Sequence, residues 1–285
     1  MPAPPPTNAV FTTMSSKAYG MLAVLCGALF LDALDVSMKG VALPAIGTSL
    51  DMSTSTLQWV ITGYVVGFGG FLLLGGRAAD LLGRRRMLLA SLMVFVIGST
   101  IGGAAPNGEV LIAARFVTGV GAAFSAPAGF SIITTSFAEG HIRNKALAIF
   151  TATGATGMAF GMVIGGLLTD LDWRWVFFAP SVVGLAAFLG GLALIPRSPR
   201  PEGGAKDFDI LGAVTITATM VLVVFTLVQA PEVGWASART LGSLVAAALL
   251  LVVFTAIERK VDKPLVRLDM LRSPPWSAPT SPRCR

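Results

Sequence analysis

The chain is poor in the residues that most chemistry needs. It has two cysteines, one histidine, two tyrosines and only 13% charged residues in 285 positions. Two cysteines, Cys26 and Cys284, far apart in sequence, supply no disulfide framework and no metal-ligand cluster. His141 stands alone in a basic stretch with Arg143 and Lys145, which reads as a solvated loop. No Gly-Lys-Ser/Thr follows the glycine pair Gly75–Gly76, so it is no phosphate loop. No paired nucleophile and base, and no His/Glu ligand set, lies within an apolar segment, so the chain is expected to be no enzyme and to carry no cofactor or metal. Residues 1–16 are polar and proline-rich without a charged start, unlike a secretory leader.

What remains is apolar. Hydrophobic residues make up 54% of the chain and mean hydropathy is +0.76, far above soluble proteins. Eight windows approach the ~20 apolar residues that a membrane span requires. They run over 20–43, 57–76, 87–105, 109–131, 146–168, 175–195, 210–230 and 241–257. Glycine recurs inside them, which suits close helix packing in lipid. The expected class is an all-α polytopic membrane protein.

Lysine and arginine set an orientation. With the N-terminus cytoplasmic, seventeen of them fall on the inner side, among them Lys17, Arg77, Arg84–Arg86, Arg143, Lys145 and, Arg239 apart, the basic residues from Arg197 onward. Four, Lys39, Arg115, Arg174 and Arg239, fall outside or within spans. The positive-inside rule then places both termini in the cytoplasm of a multi-pass plasma (inner) membrane protein. The net charge of +6 reflects that topology and anionic headgroups. Dispersed over many loops, it predicts no nucleic-acid partner.

The short stretch GRAADLLGRRRML, Gly76–Leu88, joins the second and third windows. It resembles the signature loop of the major facilitator superfamily, G-x-L-a-D-r-x-G-r-k-x-x-l. Gly76, Asp80, Gly83, Arg84, Arg85 and Leu88 match, while Ala78 and Leu81 depart. An echo supports the likeness. Shifted by 90 positions, Gly75, Gly76, Asp80, Leu81 and Arg84 fall on Gly165, Gly166, Asp170, Leu171 and Arg174, as an inverted three-span repeat would require.

Further segments are similar to the fourteen-span drug:proton antiporter branch. These are Leu34–Pro44 in the first span, Leu57–Tyr64 in the second, and Leu111–Ala123 with Arg115 and Gly119 in the fourth. Gly157–Gly166 in the fifth span matches an antiporter glycine motif, with Met162 where proline is usual, and WRWVF, Trp173–Phe177, opens the sixth. The resemblance implies a six-span N-terminal bundle over 1–197, a linker with two extra spans over 198–272, and an absent C-terminal bundle. Residues 273–285, SPPWSAPTSPRCR, carry four prolines where a ninth helix should begin. They are expected to be an aberrant tail after a truncation.

Charge at membrane depth marks the candidate site, because an ionisable group there costs at least ~2.5–3.5 kcal/mol on insertion scales. Asp32, Asp35, Lys39 and Arg115 qualify. Counted at ~1.5 Å per residue from Leu43 and Glu109, Asp35 and Arg115 lie at similar depth. They are expected to pair and to exchange a proton, with Asp32 as a second proton site or a hydrogen-bonder lining the cavity. Lys39 follows Asp35 by four residues and could neutralise it. The preferred reading is that it reaches outward to the headgroups.

Gly157, Gly161, Gly165 and Gly166 are expected to let another helix approach; the family uses that face against the opposite half. Gln58 and Tyr64 are assigned weakly to the substrate path. Trp59, Trp173 and Trp175 read as interface anchors, and Pro127 as a kink in the fourth span. The implied function is proton-coupled export of small amphipathic or drug-like molecules, with protons, substrate and lipid as partners. The alternative is a non-transporting fragment or subunit, with a second copy or a separate C-terminal half as its partner.

Overall fold

A computed structural model describes residues 11–196 and 210–258. Among them every expected window is a helix: α1 Ser16–Ser49, α2 Thr54–Leu82, α3 Arg84–Gly103, α4 Gly108–Ser136, α5 His141–Leu171, α6 Trp175–Leu194, α7 Ile210–Val233 and α8 Ala238–Glu258. Each is long and apolar enough to cross a bilayer. The physical reason is that lipid offers no partner for backbone N–H and C=O groups, so a spanning segment must satisfy them internally.

Local chemistry fixes the ends. The side chains of Ser15, Ser53 and Asn107 accept hydrogen bonds from the backbone N–H groups of Ala18, Thr56 and Val110, capping α1, α2 and α4. Gly83 is the whole connection between α2 and α3, with a φ of 99° that side-chain-bearing residues rarely adopt. Helix α1 does not stop at Pro44. It continues to Ser49, so the first span is longer than its window. Helix α4 likewise runs on through Pro127.

Helices α1–α6 pack as two interlocked triplets. Helix α1 lies against α5, α2 against α4, and α3 against α6; α3 also packs on α4, and α6 on α1. Exchanging α1, α2, α3 for α4, α5, α6 returns this same set of neighbours, which is what the inverted repeat in the sequence demands. The matched glycines behave alike. A Cβ on Gly75 would collide with the Ala123 carbonyl of α4, and one on Gly165 would lie 2.8 Å from Met38 Cα of α1. Gly76 and Gly166 have no such close neighbour.

Arginines at the starts of α6 and α3 also act alike, although the echo matches Arg174 with Arg84 and the residue that does so in α3 is its neighbour Arg85. Arg174, at the start of α6, donates to the carbonyls of Gly103 (2.7 Å) and Ala105 (3.0 Å) at the end of α3. Arg85, at the start of α3, donates to the Leu192 carbonyl at the end of α6 (2.8 Å). Each cation satisfies carbonyls that a helix end leaves orphaned, where the helix dipole is negative.

Helices α7 and α8 form a hairpin that rests on α2. Val224 would meet a Cβ on Gly69 at 2.9 Å, and Phe225 packs on Trp59 with ring centroids 5.6 Å apart. Trp59, at the start of α2, thus packs against the hairpin. Large apolar side chains such as Val163, Leu167, Leu171, Val182, Leu211 and Val252 line the exposed surface. That outer surface suits hydrocarbon. Residues 1–10, 197–209 and 259–285, including the proline-rich tail and Cys284, lie outside the described residues.

Candidate functional site

Two buried apolar clusters divide the six-helix bundle along α1. One gathers Met21, Leu25 and Leu31 with Leu88, Phe95, Ile132 and Phe137. The other gathers Leu34, Met38 and Ile46 with Val60, Leu111, Trp173 and Phe177. The candidate site sits where α1 passes from the first to the second. Asp35 is completely buried there, between two cations.

Arg115 of α4 donates from Nη1 to Asp35 Oδ2 at 2.6 Å, and Lys39 Nζ engages the other oxygen, Oδ1. Arg115 is fixed on further sides. Its Nε donates to the Val60 carbonyl of α2 at 3.0 Å, and its guanidinium lies over the Tyr64 ring at 4.5 Å. Nη1 also reaches the Thr118 hydroxyl at 3.4 Å, and that hydroxyl donates to the Arg115 carbonyl. Nη2 is buried without a hydrogen-bond partner.

Lys39 corrects the sequence expectation. It does not reach out to headgroups: it is 0% exposed, salt-bridged to Asp35, with its ammonium 4.6 Å from the centroid of the Phe177 ring. The cause is the length of α1. Ending the helix at Leu43 would leave Lys39 near the surface, but the helix runs ten residues beyond it, ~15 Å. The same extension undoes the matched-depth count for Asp35 and Arg115, although the two residues do pair.

Asp32 lies one turn from Asp35 toward the N-terminus of α1. Ser125 of α4 hydrogen-bonds its carboxyl, while Oδ2 has no partner. Tyr64 is buried beside this group, and Gln58 is exposed at the start of α2, away from the charged cluster's interior. Of the two weak substrate-path residues, the structure thus brings only Tyr64 to the site. The parts that sequence reading missed are the Val60 carbonyl and the Phe177 ring. A backbone carbonyl has no sequence signature, and a phenylalanine at a span end reads as ordinary lipid-facing surface.

The helix that the glycine stripe admits is α1: Gly157, Gly161 and Gly165 face it inside the same bundle. A Cβ on Gly157 would lie 2.7 Å from the Phe30 carbonyl, and one on Gly161 2.7 Å from that of Leu34. These glycines bring α5 against the segment of α1 that carries Asp32 and Asp35. Gly166 lies off this stripe. Trp173, expected at an interface, is buried beneath the Arg174 guanidinium, whereas Trp175 is exposed.

The signature loop lies at the other end of α2, apart from the charged cluster. Asp80 and Arg84 approach at 3.5 Å, half-exposed, a pair worth at most ~1 kcal/mol. Gly76 stays within α2, and Gly83 and Arg85 act as described above. Among the described residues no group of three His, Cys, Asp or Glu side chains could hold a metal ion.

This architecture has relatives. The sequence profile of the major facilitator superfamily matches residues 25–263. The chain belongs to that superfamily. The chain is 41% identical over 246 residues to the puromycin resistance protein of Streptomyces alboniger, covering 86% of this chain and 48% of that one. It is 40% identical over 258 residues to the cephamycin export protein of Amycolatopsis lactamdurans, covering 90% and 53%. Among solved structures, a proton:xylose symporter of the superfamily superposes with a TM-score of 0.59 at 18% identity, covering 78% of this chain and 55% of that one. That likeness speaks to the fold alone. The chain spans about half the length of the curated relatives it matches. This superfamily member is a multi-pass membrane protein, and its relatives are antibiotic resistance and export transporters.

Proposed function

We propose that this chain is the proton-coupling half of a drug exporter of the fourteen-span antiporter branch. It would sit in the plasma membrane with both termini cytoplasmic, moving amphipathic molecules of antibiotic size outward as protons enter. One observation carries the reading: a carboxylate buried between two cations at the centre of a transporter bundle. Such a charged cluster is costly in hydrocarbon even when paired, which makes it a functional candidate in a membrane bundle. The compounds for which two relatives are named, puromycin and cephamycin, indicate the size and polarity of cargo to test, not its identity.

In this reading Asp35, Arg115 and Asp32 form the proton-coupling site, and Tyr64 lies beside the path that cargo takes. The signature loop Gly76, Asp80, Gly83, Arg84 and Arg85 is the element that changes between states. Helices α7 and α8 are the linker pair of the branch. The experiment is export from efflux-deficient cells expressing residues 1–285. Lower accumulation of an amphipathic cationic dye, reversed by a protonophore, supports the reading. Membrane-located chain with accumulation equal to empty vector refutes autonomous export.

A second reading is favoured by one fact, that the chain spans about half of its relatives. Alternating access rocks one bundle against another. On this reading the chain alone does not transport, and co-expression of a relative's C-terminal half restores protonophore-sensitive export.

A further inference from the structure

The segment Leu34–Pro44 of the first span contains one carboxylate, Asp35, and two further charges flank it: Lys39 one turn after, and Asp32 one turn before. The flanking charges are of opposite sign, and they do not pair with each other. Lys39 takes Oδ1 of Asp35, and Arg115 already holds Oδ2. Both oxygens of Asp35 are thereby committed to cations. Asp32 is left with no salt bridge among the described residues and with a buried, unpartnered Oδ2.

The surroundings of Asp32 offer it no cation of its own. On α1 the nearest charge is Asp35, a like charge. From α2 it faces the Tyr64 phenol, and from α4 the Ser125 hydroxyl, with Arg115 turned to Asp35. Helix α5 has no ionisable side chain between Lys145 and Asp170, and α6 has none between Trp175 and Leu194. An unpaired carboxylate at this depth is neutralised by taking a proton, far more cheaply than by remaining charged. Asp32 also keeps 9% exposure, against 0% for Asp35 and Lys39 and 1% for Arg115, so of the two carboxyls it is the less tightly enclosed.

We infer that Asp32, rather than Asp35, takes up and releases the exchanged proton in this chain, and that Lys39 is a built-in counter-ion holding Asp35 to its two cations. The step is a simple transfer. An O–H bond forms on the Asp32 carboxyl as one breaks in hydronium, leaving water, and release reverses it. Lys39 is then a positioning residue, acting through Asp35. The inference deepens the export reading by naming its proton carrier, but protonation can be read without transport. Loss of export with Asp32 protonation intact would sink the export reading alone.

The test uses the purified chain in lipid nanodiscs, labelled with carboxyl-¹³C aspartate. Infrared difference spectra between neutral and acid pH isolate the C=O band of a protonated carboxyl in apolar surroundings, displaced from that of solvated aspartic acids. In the unaltered chain one such isotope-shifted band titrates. Asp32→Asn removes it. Asp32→Glu, which keeps the acid should the amide disturb folding, replaces it with a band at the unlabelled position. Lys39→Met keeps the Asp32 band and adds a second, from an Asp35 left with one cation. A labelled band that survives both Asp32 substitutions, or no such band in the unaltered chain, overturns the assignment to Asp32. A Lys39→Met spectrum identical to the unaltered one overturns the role of Lys39.

Discussion

Replacing Asp35 by asparagine keeps the volume of the side chain and removes the one anion between two buried cations. Lys39 and Arg115 then face each other with no shared counter-charge. Stranding a buried charge by deleting its partner costs ~3–5 kcal/mol, and here both partners are fully buried. Asp35→Asn is expected to lower stability by about that amount. A second substitution, Lys39→Met, removes one of the two stranded cations. The double variant should therefore recover part of the loss, with a coupling of ~0.5–3 kcal/mol, the range for residues in direct contact.

The assay is unfolding of the purified chain in mixed micelles as denaturing detergent is increased, followed by tryptophan fluorescence and circular dichroism. All four corners of the cycle are needed: unaltered, each single and the double. Additive single effects would refute the reasoning. They would mean that Lys39 does not pair with Asp35 and reaches the headgroups instead. Membrane insertion should be unaffected in all four, because every apolar window is preserved.

Three further outcomes follow from the same geometry. Gly161→Ala should destabilise by ~1–3 kcal/mol through overpacking against Leu34 and Ser37, whereas Gly166→Ala, with open space around it, should be neutral or slightly stabilising; equal losses in thermal unfolding would disprove the contrast. Arg174→Ala should expose the end of α3 by removing two charge-assisted bonds, at a cost of ~1–3 kcal/mol, seen as faster amide exchange near Gly103 and not near Leu192. In a background lacking Cys26 and Cys284, cysteines at Asn107 and Ser237 should react with an impermeant thiol reagent from outside intact cells; reaction only after permeabilisation would reverse the orientation.

The fold was largely legible because lipid makes it so. Each apolar window had to be a helix, and the 90-residue echo carried the inverted pairing of α1–α3 with α4–α6. The Asp35–Arg115 pair was legible for a related reason, since two isolated opposite charges at membrane depth have few ways to be satisfied. Lys39 was not, because the apolar window closes at Leu43, just before Pro44, while the helix runs on through that proline. Its ring fixes a φ compatible with helix and its missing N–H costs one bond, which a membrane helix with tight neighbours can tolerate. The glycine stripe announced a close approach without naming the partner. Periodicity identifies a face of a helix, and only packing decides what fills it.

Gly83 has a mechanical consequence. It is the only residue between α2 and α3, so the two helices share a joint with no spare contour. Next to it, Arg85 is tied to the end of α6 by its bond to Leu192. A tilt of α2 must therefore be handed on to α3 and through it to α6, like a bell crank turning about a single pin. The opposite end of α3 leads to α4 through four residues, Ala104–Asn107, and has slack. Motion that begins at α2 is thus transmitted at one membrane face and absorbed at the other, and lengthening this joint by even one glycine would disconnect the lever while leaving every helix intact.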